Sequence, residues 1–454
     1  MTAQLRRLVP EEVFREGALE LGPTLGAAGA DYFVLNSVIA EILKYSLLRR
    51  DPNARILEIH RLVQEVLKQG MDEATQRLCA ERAVRAVNRV FPIVTFFNWP
   101  LCERLVNQAL ICSDLINQFG LAFADAALLL NQAGFYLYKR GRYVEVEQLY
   151  KQALTIYKAL PGPKPDMANS LNNLARLYRA QSRYAEAEPL CQVALAIREN
   201  VLGPEHPDVA SSLNNLARLY HSQAQYAKAE PLYQRALAIS EKALASEDPY
   251  VATSLSSLAE LYLVKGQIQK AEPLFHRSLA IREKVLGPEH PDVAWSLNGL
   301  AELHRAQGQY TKAEPLYGRA LAILEKALGP EHPDVAWSLS SLAELYLVKG
   351  QIQKAEPLFH RALAIREKAL GPEHPDVARS LNGLAELYRA QGRYTEADAL
   401  YQRALAISEK ALGPEHPDMA TSLENYALCL RAIDRPQEAE LLESRGKAIR
   451  AKTA

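Results

Sequence analysis

The sequence predicts an all-α fold: a right-handed superhelix of about eight stacked helix pairs, preceded by a small domain of helices and a hairpin. Residues 166–449 repeat every 42 residues without insertion or deletion. Each copy carries two blocks of apolar residues at helical spacing, and a string rich in Gly and Pro ends most copies. Such fixed-period similarity is typical of solenoids, in which each unit packs mainly on its neighbours.

Composition favours a soluble cytoplasmic protein. The 454 residues include 53 Lys plus Arg and 53 Asp plus Glu, so the chain lacks the basic surplus expected of a nucleic-acid binder. No apolar run reaches the roughly 18 residues of a membrane span, and the N-terminus lacks a secretory pattern. The five cysteines are odd in number and scattered, which predicts reduced, mostly buried thiols.

Residues 1–95 lack the repeat and are predicted to form a winged-helix domain. We expect helices over 11–18 and 35–44, strands over 45–50 and 55–60, and helices over 61–68 and 73–90. Pro52 and Asn53 favour a turn between the strands. Winged helices often bind DNA, but acidic and basic residues are nearly balanced here, so DNA binding ranks third among the function hypotheses.

Four strings in this region carry a resemblance: VPEEVFREGALELGP (9–23), KYSLLRRDP (44–52), IHRLVQEVLK (59–68) and ERAVRAVNRVFP (81–92). They resemble the winged-helix segment of bacterial STAND-type signalling ATPases. In that family an NB-ARC nucleotide-binding domain precedes this segment, and tetratricopeptide repeats follow it.

The resemblance nominates His60 as a nucleotide-sensing residue that acts with an upstream NB-ARC domain. Related NB-ARC proteins carry a Met-His-Asp motif here, whose His contacts the nucleotide phosphates, but Arg61 replaces the Asp. The alternative is an ordinary histidine at the end of a strand. The chain has no GxxxxGK[ST] loop, so it cannot hydrolyse ATP through the family's site. We therefore expect either the C-terminal part of a longer protein or a shortened relative.

Residues 96–165 contain two degenerate copies of the repeat, 166–449 form the regular array, and 450–454 are a short tail. In the copy that begins at Asp208, the residues Leu213, Leu216, Ala217 and Tyr220 form one apolar helical face. The linker GPEHP follows the second helix in most copies, where Gly supplies a left-handed cap and Pro prevents continuation. We expect the linker histidines to cap and pack this turn.

The spacing Leu-x-x-Leu-Ala-x-x-Tyr, Gly-x-Tyr-x-x-Ala and Tyr-x-x-Ala is the tetratricopeptide pattern, although the period exceeds the usual 34 residues. This 42-residue form closely resembles the repeats of kinesin light chain, over residues 124–449 and eight helix pairs. The first helices of such pairs are expected to line the concave face.

Positions of the first helix that packing does not use define a candidate partner-binding groove. These are Asn172, Asn173, Arg176, Arg179, Asn214, Asn215, Arg218, His221, Glu260, Trp295, Asn298, Glu302, Arg305, Trp337, Glu344, Asn382, Glu386 and Arg389. One column changes from Arg176 and Arg218 to four glutamates, a polarity that could orient an extended peptide. The alternative is a solvated face with no preferred ligand.

Tryptophan and asparagine add to the groove hypothesis. Trp295 and Trp337 replace small or polar residues, and Trp is enriched among binding hot spots. The alternative is that each Trp folds onto a neighbouring helix. Kinesin light chain-like repeats hold peptide backbones with groove asparagines, so the resemblance implies this role for Asn172, Asn214, Asn298 and Asn382.

No catalytic or metal motif is present, so we expect no enzyme activity, no cofactor and no metal site. The leading hypothesis is a scaffold that binds a protein or peptide partner in the concave groove. The second is the sensor half of a STAND-type signalling switch whose partner is an upstream NB-ARC ATPase domain. Neither a membrane nor nucleic acid is favoured as a partner.

Overall fold

The computed structural model describes residues 8–162, 165–414, 416 and 418–453. In this part of the chain 22 α-helices follow one another, with three short strands near the N-terminus. The chain divides into two compact units, residues 1–174 and 175–454. The all-α superhelical array is confirmed, and each unit is described separately.

The first unit begins with a mixed segment of helices and a three-stranded antiparallel sheet in the order β1-β3-β2. Its elements are β1 (Leu8–Pro10), α1 (Glu12–Arg15), α2 (Gly22–Ala30), α3 (Tyr32–Lys44), β2 (Leu48–Asp51), β3 (Ile56–Ile59), α4 (Arg61–Gln69) and α5 (Glu73–Val90). The hairpin between helices is found as predicted, although its first strand begins three residues later. Strand β1 and helix α2 were not predicted.

A partly buried ion pair holds the hairpin against the preceding helices. Arg50 Nε and Nη2 donate to the two carboxylate oxygens of Glu11, at 2.7 and 2.9 Å, and Nη1 donates to Asn36 Oδ1 at 2.7 Å. Glu11 is almost fully buried. Because its fork matches a carboxylate, Arg50 fixes the hairpin to the start of α1 and to α3 at once.

Helical pairs occupy the rest of the chain. In the first unit these helices are α6 (Trp99–Phe119), α7 (Ala124–Lys139) and α8 (Tyr143–Ala159). Helix α9 (Pro165–Ala180) carries the unit boundary. The second unit continues with α10 (Tyr184–Leu202), α11 (Pro207–Ser222), α12 (Tyr226–Ala243), α13 (Pro249–Val264), α14 (Ile268–Leu286), α15 (Pro291–Ala306), α16 (Tyr310–Leu328), α17 (Pro333–Val348), α18 (Ile352–Leu370), α19 (Pro375–Ala390), α20 (Tyr394–Leu412), α21 (Asp418–Ala432) and α22 (Pro436–Thr453).

Each pair of the second unit is closed by small residues at the helix crossing. Ala259 on α13 and Ala271 on α14 have no exposed surface, and the equivalent alanines of the neighbouring pairs are equally buried. A large aromatic residue fills the space beside them: Tyr233, Phe275, Tyr317, Phe359 and Tyr401. The backbones can approach closely because no larger side chain separates them.

The linker histidines cap the helices that follow them, as predicted. His206, His290, His332 and His374 each accept, through Nδ1, the backbone N–H two residues later at 3.1 Å. In the linker between α12 and α13, which lacks the GPEHP string, Asp248 accepts from Tyr250 N at 2.8 Å and caps the following helix in the same way. The preceding glycines have φ near +88°, a conformation that favours residues without a side chain.

Two ladders of ion pairs join successive repeats. In one ladder an Arg pairs with a Glu 36 residues earlier: Arg235–Glu199, Arg277–Glu241, Arg319–Glu283, Arg361–Glu325, Arg403–Glu367 and Arg445–Glu409. In the other a Lys pairs, at 2.6–3.0 Å, with an acidic residue of the linker: Lys242–Glu205, Lys284–Glu247, Lys326–Glu289, Lys368–Glu331 and Lys410–Glu373. The glutamate of GPEHP therefore stabilises the contact between successive repeats.

Candidate partner-binding groove

The first helices of the second unit form the inner side of the curve. From α11 to α21, each first helix packs directly on the first helix of the next pair, more closely than second helices pack on each other. An array in which one row of helices is closer together must curve towards that row. Residues on the free side of these first helices therefore face the concavity.

A serine, buried in every case except the partly buried Ser422, marks each junction between successive repeats from α11 to α21. Its hydroxyl accepts a hydrogen bond from an arginine of the preceding second helix or from an asparagine of the preceding first helix, and the two donors alternate. The bonds, 2.5–2.9 Å long, are Arg198–Ser212, Asn214–Ser254, Arg282–Ser296, Asn298–Ser338, Arg366–Ser380 and Asn382–Ser422. We call these contacts the serine junctions.

Three of the four predicted groove asparagines are donors in the serine junctions: Asn214, Asn298 and Asn382. Asn214 and Asn298 are only 8% and 0% exposed, and their amides are engaged within the array. Asn172, in the first unit, is 3% exposed, and Asn382 donates to Ser422. The structure thus places three of these four side chains inside the packing and not on an open surface, so they are not part of the site developed below.

Trp295 and Trp337 lie at equivalent positions of α15 and α17 and stack on each other. Their ring centroids are 4.8 Å apart and the planes are inclined by 23°. Both side chains remain partly exposed. The pair combines the two predicted alternatives, because each indole packs on a neighbouring repeat and still presents surface to the concavity. Together they form a stacked aromatic pair on the inner face.

Charged residues continue along the same face, two helical turns after the Trp pair. Arg305 pairs with Glu302 at 2.6 Å and lies 4.0 Å from Glu344 in the next repeat. Burial lowers the pKa of Arg305, but the two carboxylates outweigh it and the net shift is upward. Burial also raises the pKa of Glu344. The carboxylates here are therefore enclosed and only partly neutralised.

The remaining predicted groove residues divide between open and internal positions. Arg218 Nε and Nη2 donate to Ser257 Oγ of the next repeat at 3.2 and 3.0 Å. Arg179 Nη1 lies 3.4 Å from Ser222 Oγ. In the first unit Asn173 donates to Asn131 at 3.1 Å. The others are partly buried on their first helices: Arg176, Asn215, His221, Glu260, Glu386 and Arg389.

His60 is exposed and caps helix α4, accepting from Leu62 N at 3.3 Å through Nδ1. This local contact is what an ordinary histidine between a strand and a helix makes, and the nucleotide-sensing role stays a prediction.

The described residues contain no group of three or more His, Cys, Asp or Glu side chains placed to hold a metal ion. Burial raises the pKa of Cys102 to about 11 and that of Cys191 to about 12. These thiols therefore stay protonated and unreactive near neutral pH. In the described chain no single helix is long and apolar enough to cross a membrane, although the bent pair α2–α3 passes by length and composition.

The repeat array matches the model of a known protein family. The tetratricopeptide repeat family model matches residues 125–200, 166–242, 250–326, 299–368, 334–410 and 376–452, well over half of the chain. The chain belongs to the tetratricopeptide repeat family. A domain of unknown function, DUF7779, matches residues 9–76. No curated protein matches the chain significantly.

Among solved structures, the repeats are similar to those of a putative kinesin light chain from Podosopora anserina, with nearly identical TPR-like repeats. That protein is 35% identical over 46% of this chain and 98% of its own, with a TM-score of 0.37. BtubC (BKLC) from P. vanneervenii is 25% identical over 52% of this chain and 92% of its own, with a TM-score of 0.39. A Rap protein complexed with Competence and Sporulation Factor is 16% identical over 77% and 91%, with a TM-score of 0.55, which shows the fold alone.

Membership of the tetratricopeptide repeat family supports a protein-interaction scaffold. The tetratricopeptide repeats that the sequence pattern predicts are confirmed by the family match.

Proposed function

We propose that the inner face of residues 175–454 holds an extended segment of a partner protein. The observation that carries the proposal is the stacked pair of Trp295 and Trp337, which present partly exposed indoles on the concave side. Large aromatic surfaces of this kind dominate the energetics of protein interfaces, because they combine a large contact area with few rotatable bonds.

The charged residues along the groove change sign from its N-terminal end to the later repeats, so the two ends of the groove differ. Arg176 and Arg218 lie towards the N-terminal end of the inner face, and Glu260, Glu302, Glu344 and Glu386 follow in the next four repeats. A bound segment with acidic residues at one end and basic residues at the other would match this gradient in one orientation only. Because Arg305 partly neutralises Glu302 and Glu344, the outer members Glu260 and Glu386 are expected to contribute most to this preference.

Replacing both Trp295 and Trp337 with alanine is expected to weaken partner binding at least about tenfold, the effect of losing one interface hot spot. The full chain is immobilised, partners are captured from cells that express it, and each partner identified is then titrated against the purified variants. Circular dichroism verifies that the helix content is unchanged.

Val193→Ala with Val285→Ala is the matched control. Both valines are nearly half exposed on second helices, so their loss removes apolar surface from the outer side. Equal affinity of the Trp variant and this control for every partner would remove the Trp pair from the site.

A second candidate function is the sensor half of a STAND-type switch, and the surface of the first unit favours it. Helix α3 exposes Val34, Val38 and Ile42 every four residues, and Phe33 beside them is 81% exposed. Leu62 and Val66 on α4 are each 68% exposed. Apolar surface of this extent indicates an interaction site. We propose that an NB-ARC domain covers it.

This second candidate predicts a phosphate-binding GxxxxGK[ST] motif in frame upstream of Met1 in the gene. It also predicts that Val38→Glu with Ile42→Glu releases a separately expressed nucleotide-binding domain from the chain in size-exclusion chromatography. Co-elution that survives these two charges would contradict the assignment. We propose no catalytic step for the chain. We also propose a cytoplasmic location, which is supported by its five free cysteines, four of them buried, because free thiols fit a reducing compartment.

A further inference from the structure

Two linkers of the second unit contact helices four to five repeats earlier. His374 Nε2 lies 2.5 Å from the carbonyl oxygen of Ala180, the last residue of α9. His416 Nε2 lies 3.3 Å from the carbonyl oxygen of Ser222, the last residue of α11. Both contacts span 194 residues, and each partner in the second is one repeat further along. The same contact is therefore made twice.

These contacts are exceptions to the rule that solenoid repeats touch only their neighbours. The array of the second unit closes on itself, so that a linker of one turn reaches the helix ends of the previous turn. Repeats α11 to α18, which include Trp295 and Trp337, lie in sequence between Ala180 and His374. Closure at this point encloses the inner face that is proposed to hold a partner.

The geometry at His374 defines which nitrogen donates. Its Nδ1 accepts the N–H of Asp376 at 3.1 Å, so the neutral imidazole carries its proton on Nε2. That proton points at the carbonyl of Ala180, one of the carbonyls at a helix C-terminus that have no partner within the helix. The partial negative charge of the helix end strengthens the bond. One side chain thus caps its own helix and binds the previous turn.

We propose that His374 and His416, with the carbonyls of Ala180 and Ser222, form a latch that closes the superhelix and controls access to its inner face. Two hydrogen bonds are weak enough to open without unfolding the repeats, which keep their own junctions. A partner gains access when the latch is open. The role of the latch rests on the function proposed for the inner face, whereas the contact itself does not.

One linker of the chain naturally carries an aspartate at the histidine position and suggests the substitution that tests the latch. Asp248 replaces the histidine in one linker and still caps the following helix. His374→Asp with His416→Asp should therefore keep the cap at position 374 while it removes both Nε2 donors and sets a carboxylate against each of the two helix carbonyls. His206→Asp is the matched control, because the His206 side chain is 41% exposed and makes its cap within its own loop.

Small-angle X-ray scattering of the full chain measures the result. We expect a larger radius of gyration for the double variant than for the wild type, and no increase for His206→Asp. In a Trp99→Phe background, iodide should quench the two remaining indoles more strongly in the double variant. Unchanged scattering, or an equal increase in the control, would overturn the latch.

Two further measurements keep the outcomes distinct. If the double Asp variant loses helix content, His374→Asn with His416→Asn, in which a neutral side chain keeps the acceptor, is measured in the same way with His206→Asn. If the radius grows but the Trp variant binds partners normally, the latch stands and the groove assignment fails. If the Trp variant loses binding while the radius is unchanged, only the latch fails.

Discussion

Replacing Gly299 and Gly383 with alanine is expected to destabilise the array by about 1–3 kcal/mol at each site, the usual cost of overpacking. A Cβ at Gly299 would lie 2.3 Å from Cε1 of Phe275, and one at Gly383 would lie 2.5 Å from Cε1 of Phe359. Both aromatic rings are almost fully buried between helices, so they have little room to move aside. The sites are 84 residues apart, so the two costs should add.

Gly318→Ala is the matched control for this experiment. Gly318 also lies inside a helix, α16, but nothing approaches within 4 Å of the position its Cβ would take. Alanine is favoured over glycine there by about 1 kcal/mol, so this substitution should stabilise the protein. Urea denaturation followed by circular dichroism compares the variants. A Gly299 variant that gained as much stability as the Gly318 variant would show that the ring accommodates the methyl group.

The contact of these glycines with the aromatic rings also shows why the sequence predicts the helix pairs well but predicts the contacts between helices less well. Apolar spacing and GPEHP set the bounds of the repeat helices, since the pattern recurs without any insertion. Which aromatic ring stands against Gly299 depends on two helices from different repeats, and no spacing within one copy reports it. The alternation Phe275–Gly299, Tyr317–Ser341 and Phe359–Gly383 is visible in the sequence only once the helices are known to meet.

The groove asparagines illustrate a limit of reasoning from one face of a helix. Their position on the first helix predicts an inner-facing side chain, but the close packing of first helices brings the next serine within reach of the amide. A signal was present in the sequence. From the copy at Asp208 onward, copies with Asn214, Asn298 and Asn382 have Ser240, Leu324 and Ser408 on the second helix, whereas Ser256 and Ser340 accompany Arg282 and Arg366. The first copy, which has both Asn172 and Arg198, does not follow this rule. Such coupled substitutions indicate a shared internal contact.

The N-terminal hairpin was predictable because Pro52 and Asn53 stand between two short apolar runs. Strand β1 was not, since its three residues lack any periodicity of their own and pair with β3 across some fifty residues. Helix α2 was missed because its sequence, GPTLGAAGA, is rich in glycine and carries little amphipathic pattern. Long-range pairing and packing overrode local propensity at both places.

Arg282→Leu is expected to destabilise the protein by about 1–3 kcal/mol, because it leaves buried hydroxyl groups without their donor. Arg282 is nearly fully buried on α14, where Nη1 donates to Ser256 at 3.1 Å and to Ser296 at 2.7 Å. Burial lowers the pKa of this guanidinium, an effect that Asp292 partly offsets. The side chain is held mainly by neutral hydroxyls, so its loss opens the serine junction between α13 and α15.

The neighbouring repeat provides a rescue. At the equivalent junction Asn298, Ala320 and Leu324 stand in place of Ser256, Ser278 and Arg282, and Asn298 donates to Ser338 at 2.7 Å. The triple variant Ser256→Asn, Ser278→Ala and Arg282→Leu should therefore rebuild the junction with an asparagine donor and recover most of the lost stability. Thermal unfolding of the single and triple variants measures the recovery.

If the triple variant is no more stable than Arg282→Leu alone, the two kinds of junction are not interchangeable, and the alternation is not a matter of one donor replacing another. If stability returns, each repeat needs only some donor for its serine. The choice between asparagine and arginine is then free to vary. Arginine reaches the junction from the second helix. The first helix can then carry a serine, as at Ser256, where other repeats carry an asparagine. Because serine is smaller, the side-chain volume beneath the inner face decreases at alternate repeats. The alternation would then set the depth of the groove on either side of the Trp pair.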